Sequence, residues 1–340
     1  MLWFAVPEGI DDPARVSGGN LFDLRVADAL RALGWDVRLR PCGGDATLAD
    51  VLASAPPGAV VLVDSLVAVR WPDPLAAGAV AGTTQSGARV AVLAHMVVAA
   101  FESADGADVE AERRALAHAD LVLATSAWAR DELIARGLVP AARVVVAPPG
   151  ADGALVEART SDGTSLLCVG VVAPHKGQDL LVDALAAARG AWTCTVAGSV
   201  AVDPGFAERV LARADAAGIS DRITWAGVVG RRALEALYAR TDLLVAPSRT
   251  ESYGMAAAEA LRRGIPVLAS RVGGLPEAVG PAGGILVPPT AEGLGTALHR
   301  WITDPGLRDA LTRDARREAP RRPTWHDTAA AVDAALRGLT

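Results

Sequence analysis

DLLVAPSRTESYGMAAAEALRRGIPVLASRVGGLPEAV (242–279) contains the unit from which the chain is built. DLLVAPS (242–248) is a short apolar run closed by Pro247 and Ser248, the signature of a strand buried on both faces. A polar loop follows, then Gly254 opens a helical stretch that ends at Arg262-Arg263-Gly264, and PVLAS (266–270) is a second buried run. Apolar strand, helix, apolar strand is the crossover unit of a parallel sheet.

Outward from this stretch the alternation repeats in both directions. SLLCVG (165–170), TCTVAG (193–198) and RITWAG (222–227) precede it, and GILVP (284–288) follows. The first half has its own series: LWFAV (2–6), DVRLR (36–40), AVVLV (59–63), RVAVLA (89–94), DLVLAT (120–125) and RVVVA (143–147). The fold class is α/β, with two doubly wound, Rossmann-like domains. PPGADGALVEARTSDG (148–163) is turn-rich and poorly periodic and reads as a linker. The expected organisation is a first domain over 1–150, a linker over 151–163, a second domain over 164–320 and a terminal helix over 321–340. RPTWHDTAAAVDAALRG (322–338) supplies that helix, with a Thr cap signal ahead of an Ala-rich pattern. Open sheets of this kind bind ligands outside the carboxyl ends of their strands, so a cleft between the halves is the expected site.

Composition removes other classes. At 340 residues the chain is long enough for two domains, and 51% apolar against 21% charged residues is globular. A net charge of -6 offers no footprint for nucleic acid or an anionic membrane. No apolar run is long enough to span a bilayer and the opening MLWFAVPEG lacks a signal-peptide pattern, so a cytoplasmic protein without stable membrane insertion is expected. Cys42, Cys168 and Cys194 are odd in number and widely spaced, which argues against a disulfide framework or a zinc site. No dinucleotide fingerprint follows the first strand. There is also no P-loop, nucleophile elbow, HExxH helix or Asp-x-Asp pair for a divalent ion, so no metal or cofactor is expected.

Three features carry chemistry. VSGGNLFDLRVADALRALGWDV (16–37) places glycines and Asn20 after the first strand; alone it reads as a turn with an Asn cap. In VGVVAPHKGQDLLVDALAAA (169–188) a strand ends, a Pro-His-Lys-Gly loop follows and a helix begins, which suits a cation that meets phosphate. Lys176 there is the one lysine among 33 basic residues. In the opening stretch, Glu251 and Glu259 flank the start of a helix at Tyr253, Gly254 and Met255. Carboxylates accept from vicinal hydroxyls and free helix amides hold an anion, so a polyol and a diphosphate can share this loop.

These residues resemble the retaining GT-B glycosyltransferases of family 4, over nearly the whole chain. The most specific match is the Glu-x7-Glu element ESYGMAAAE (251–259), joined by APPGAD (147–152), the glycine and Lys-Gly of the loop after 169, and the helix after Trp325. The resemblance implies a nucleotide-diphosphate sugar as donor. It gives Glu251 to the donor sugar hydroxyls, Glu259 to the ribose, and Lys176 with the amides of Gly254 and Met255 to the diphosphate. Gly19, Gly170, Ser248, Ser252 and Tyr253 line the same donor, and the base is met by backbone near Gly227 and Val228. Ser17, Gly18 and Asn20 correspond to the family's glycine loop on the acceptor side. His95, after the fourth strand, corresponds to a histidine that faces the transferred sugar, so the catalytic set is His95, Lys176 and Glu251. The chain departs from the pattern at Val171, where many members carry an arginine for the diphosphate; His175 or Arg249 are the candidates to replace it.

Closure of the halves on the donor, and front-face attack by an acceptor whose proton passes to the leaving phosphate, follow from that resemblance as expectations. The acceptor is expected to be a soluble small molecule of specialised metabolism. WPDPLAAGAVAGTTQSGA (71–88) has no basic residue and ESADGADVEAE (102–112) is acidic, unlike a membrane-docking helix. A polysaccharide or glycolipid precursor as acceptor, a sugar-nucleotide epimerase and a non-catalytic nucleotide-sugar-binding subunit are the rival readings.

Overall fold

All twelve runs form parallel strands, and in the central ones Val, Leu and Ala between turn residues bury both faces of the sheet. The computed structural model describes residues 1–12, 17–80, 87–155 and 162–339. The middle of the expected linker (156–161), Val16 of the first glycine stretch and residues 81–86 of the uncharged stretch lie outside them. The chain divides into two units, Met1–Gly150 with Pro323–Thr340, and Ala151–Arg322.

The first unit has β1 (Leu2–Pro7), β2 (Val37–Cys42), β3 (Val60–Asp64), β4 (Arg89–Ala94), β5 (Leu121–Ala124) and β6 (Val144–Val146), in the order β2-β1-β3-β4-β5-β6. The sheet reverses direction of growth between β1 and β3, where Leu2 pairs with Val60 and Phe4 with Leu62. Phe4, Leu62, Leu93 and Leu123 are fully buried along it. The terminal helix Trp325–Arg337 belongs to this unit. Its Thr324 cap forms a capping box with Asp327, Thr328 Oγ1 donates to the Pro148 carbonyl at 2.8 Å, and Trp35 Nε1 donates to Asp333 at 2.5 Å. Trp325 lies edge-on to Phe22 of the helix Gly18–Ala32, with centroids 5.5 Å apart.

The second unit has β7 (Ser165–Val169), β8 (Thr193–Ala197), β9 (Ile223–Gly227), β10 (Leu243–Ala246), β11 (Val267–Ser270) and β12 (Gly284–Val287), in the order β12-β11-β10-β7-β8-β9. Here β7 and β10 are neighbours, paired at Leu166 with Leu243, and the chain winds away from them on both sides. That reversal is where a crevice opens between loops leaving opposite ways, and a ligand at the carboxyl edge is expected there. Trp301 and Tyr238 are the largest fully buried side chains of this unit; Trp301 Nε1 donates to the Gly163 carbonyl at 2.8 Å.

Candidate functional site

The loops after β7 and β10 meet. Lys176 ends a short turn, Pro174–Lys176, and Gly177 then turns the chain into the helix Gln178–Ala187. Gly177 has φ 69°, and a Cβ there would stand 2.2 Å from the Pro247 carbonyl oxygen, so the close approach of the two loops depends on a missing side chain. The Lys176 stem lies over Gly170, and its Nζ donates to Glu251 Oε2 at 2.6 Å. Ser248 Oγ donates to the same oxygen at 3.3 Å. Glu251 Oε1 makes no hydrogen bond among the described residues and is the oxygen left for a ligand hydroxyl.

Past Glu251, Ser252 and Tyr253 are buried, and burial pushes the Tyr253 phenol up to about 12. Gly254, at φ 109°, starts the helix Met255–Arg262 with no side-chain cap, so among the described residues no side chain claims its first amides. Glu259 sits little more than one turn on. Burial raises its carboxyl above the usual range, while the Tyr238 hydroxyl, donating to Oε2 at 2.8 Å, and the Arg263 charge pull it down. Tyr238 is itself held: Arg263 stacks on its ring with the guanidinium carbon 4.4 Å from the centroid and forks onto Glu235. Val228 follows β9 and is 39% exposed.

Position 171 is backbone-pinned instead of charged. Gln178 Nε2 donates to the Val171 carbonyl at 2.9 Å, and Val172 N donates to the Ser199 carbonyl at 2.8 Å. Neither candidate replacement supplies a spare cation. Burial and the Lys176 charge lower His175 to about 4, so it is neutral near pH 7. Arg249 forks onto Asp179 at 2.8 and 2.7 Å and donates to the Pro174 carbonyl, so its charge ties the two loops together.

In the first unit the glycine stretch differs from its sequence reading as a loop with an Asn cap. Ser17 is the cap, its Oγ accepting from Asn20 N at 3.1 Å, and Gly18, Gly19 and Asn20 form the first helical turn. The reason is local: a hydroxyl at Ser17 satisfies a first-turn amide directly, and Asn20 is then inside the turn. Gly19 runs beside the His95 ring, where a Cβ would lie 3.4 Å from Cδ2.

His95 follows β4. Its Nε2 is 2.8 Å from Asp23 Oδ1 and 3.4 Å from Asp64 Oδ2, and its backbone N donates to Ser65 Oγ at 3.1 Å. Phe22 packs edge-on against the ring, with centroids 5.3 Å apart. Both aspartates are fully buried. Burial lowers the imidazole, but the two carboxylates outweigh it and raise His95 to about 10. The backbone beyond is fixed by buried Glu112, which accepts from Val98 N and Ala99 N at 2.8 Å each. Among the described residues, Asp23, Asp64 and His95 are the one trio of such side chains whose ligand atoms gather within 4.8 Å. The sequence reading passed over Asp23, Asp64 and Tyr238. Two of them left a signal: Asp23 lies on the buried stripe with Val26, Ala27 and Leu30, and Asp64 ends an otherwise apolar strand.

Residues 156–318, nearly all of the second unit, match the family model of Glycosyl transferases group 1. The D-inositol 3-phosphate glycosyltransferase of Actinosynnema mirum is 32% identical over 236 residues, 60% of this chain and 54% of that protein. The lipopolysaccharide core biosynthesis mannosyltransferase LpcC of Rhizobium leguminosarum is 34% identical over 178 residues, 51% of this chain and 50% of the relative. The chain thus spans about half the length of these curated relatives. Among solved structures, sucrose-phosphate synthase from Thermosynechococcus elongatus superposes with a TM-score of 0.80 at 22% identity, covering 99% of this chain and 98% of the other. Anabaena Alr3699/HepE, in complex with UDP and glucose, gives 0.79 at 18% identity, covering 99% of both. The fold is the GT-B fold.

Proposed function

We propose that the chain is a glycosyltransferase that moves a hexosyl group from a nucleotide-diphosphate sugar to an acceptor hydroxyl, with retention at the anomeric carbon and without a metal. The observation that carries this reading is the Lys176–Glu251 pair at the β7/β10 reversal, beside an uncapped helix start. An ammonium and free amides are the partners a diphosphate needs, and an open carboxylate oxygen is the partner a sugar hydroxyl needs. The match to group 1 glycosyltransferases over the same residues supports it.

In this reading Glu251 holds the transferred sugar and Glu259, steadied by Tyr238, holds the ribose. Gly170 lets the Lys176 stem pass, and backbone at Val228 meets the base. Lys176 and the amides of Gly254 and Met255 stabilise the diphosphate as it leaves, an interaction that strengthens as charge develops. The acceptor hydroxyl attacks from the leaving-group side and gives its proton to the departing phosphate. Ser17, Gly18, Asn20 and His95 serve the acceptor. Gly19 is assigned to the donor. Names of the relatives point to two acceptor classes, a phosphorylated inositol and a lipopolysaccharide core. The acidic run 102–112 favours a small soluble acceptor in the cytoplasm over a lipid surface. No helix among the described residues is long and apolar enough to cross a membrane.

The test is a screen of nucleotides by thermal shift, in which a ligand at about a hundred times its Kd adds about 2.7 kcal/mol of stability. Proton NMR of turnover with the stabilising donor follows. An α-linked donor should give an α-linked product; a β-linked product overturns retention, and the absence of binding by every nucleotide sugar overturns the reading.

A further inference from the structure

Three side chains far apart in sequence converge at the carboxyl edge of the first sheet. Asp23 comes from the helix after β1, Asp64 from the end of β3, and His95 from the loop after β4. Parallel order β1-β3-β4 is what brings them together. Both carboxylates are fully buried and both approach the same ring nitrogen, Nε2. Among the described residues Asp23 Oδ2 and Asp64 Oδ2 have no hydrogen-bond partner, while Asp64 Oδ1 takes the Leu66 amide at 2.5 Å. A buried carboxylate facing an imidazole needs positive charge, since an uncompensated buried anion is among the most costly arrangements in a protein.

We infer that Asp23 and Asp64 clamp His95 by Nε2 as a doubly protonated donor, so that it enters the proposed transfer as a fixed cation and not as the base that takes the acceptor's proton. The inference rests on the function proposed above for its place in the reaction. Asp23 and Asp64 are positioning residues, acting through the imidazole. With Nε2–H committed to Asp23, only Nδ1 is left for a ligand; it makes no hydrogen bond within the described protein. A neutral ring would present Nδ1 as an acceptor, a natural base; a charged ring presents it as a donor.

Every group facing the ring agrees. From the helix comes Asp23, from the β3 end Asp64 with uncharged Ser65, and Phe22 closes one side with Trp325 behind it. Glu112 faces the backbone of Val98 and Ala99, not the ring. Burial also raises Asp23, to about 8, whereas the His95 charge outweighs burial and holds Asp64 below the usual range. At neutral pH the trio therefore holds protons on His95 and Asp23 and a charge on Asp64, and is neutral as a unit.

The experiment is a ring-nitrogen NMR titration of the full chain labelled at histidine, with His95→Gln used to assign His95 among the five histidines. His95 should keep both ring protons from about pH 6 to about pH 9, where an ordinary histidine titrates near about 6.5. In Asp64→Asn its midpoint should fall by about one unit or more, and turnover should gain an alkaline limb, with kcat lowered about tenfold at pH 8.5 and the donor KM changed less than twofold. A singly protonated His95 at pH 7 in the wild-type chain overturns the clamp, as does a stoichiometric divalent ion found on the purified protein. The wild-type titration decides even if Asp64→Asn fails to fold. A doubly protonated His95 with no donor turnover sinks the proposed function and leaves the clamp; turnover with a singly protonated His95 does the reverse.

Discussion

Lys176 is the residue on which the proposed donor site depends. Its ammonium is shared with Glu251 at 2.6 Å, and a diphosphate entering the site would compete for it. Because charge-assisted hydrogen bonds contribute about 1.5–3 kcal/mol each, losing two of them in Lys176→Ala should slow turnover by about a hundredfold or more, measured as kcat/KM. Near-normal turnover would remove Lys176 from the chemistry. Tyr238→Phe is a gentler probe: losing the hydroxyl that positions Glu259 should raise the donor KM about three- to tenfold, with little change in kcat. Lys176 was legible in the sequence because it is the sole lysine and precedes a helix. Tyr238 was not: its hydroxyl reaches Glu259 only once the helix Arg231–Ala239 packs against Met255–Arg262, a contact no local spacing encodes.

At the scale of elements, the site is made by helix starts placed after strands. Gly254 has φ 109°, and a Cβ would meet Leu275 Cδ2 at 2.6 Å. Gly254→Ala should therefore cost about 1–3 kcal/mol in backbone strain, read as a lowered urea midpoint, and should weaken donor binding because the displaced turn carries the free amides. Unchanged stability would show that the turn tolerates a side chain. The strands were readable from sequence to within a residue or two, since buried parallel strands are apolar throughout and Gly, Pro and Ser close them. The first helix was misread at its start for a physical reason. Two glycines in a row look like a loop, but the Ser17 hydroxyl outweighs their poor helix propensity.

At the scale of the whole molecule, the two sheets use different strand orders, and each reversal of winding gathers polar groups from distant segments: Lys176 and Glu251 in one, Asp23, Asp64 and His95 in the other. Sequence spacing exposes the first pair through its motif and hides the trio, whose members become neighbours only through sheet order. The trio also has a consequence for stability. His95 is raised to about 10 in the folded chain, so the stability it contributes is complete below its unfolded value and is lost as pH rises through about 10. Asp23, raised to about 8, acts with the same sign from the carboxylate range up to about 8. The thermal midpoint should fall between pH 7 and pH 10, less steeply in Asp64→Asn; a midpoint that rises over this range contradicts the assignment. For the account as a whole the deciding measurement is a crystal structure with a stabilising nucleotide sugar bound. It should show a sugar hydroxyl on Glu251 Oε1, the ribose on Glu259 and the diphosphate between Lys176 Nζ and the amides at Gly254 and Met255. A donor bound elsewhere, with both glutamates turned away from it, would contradict the account.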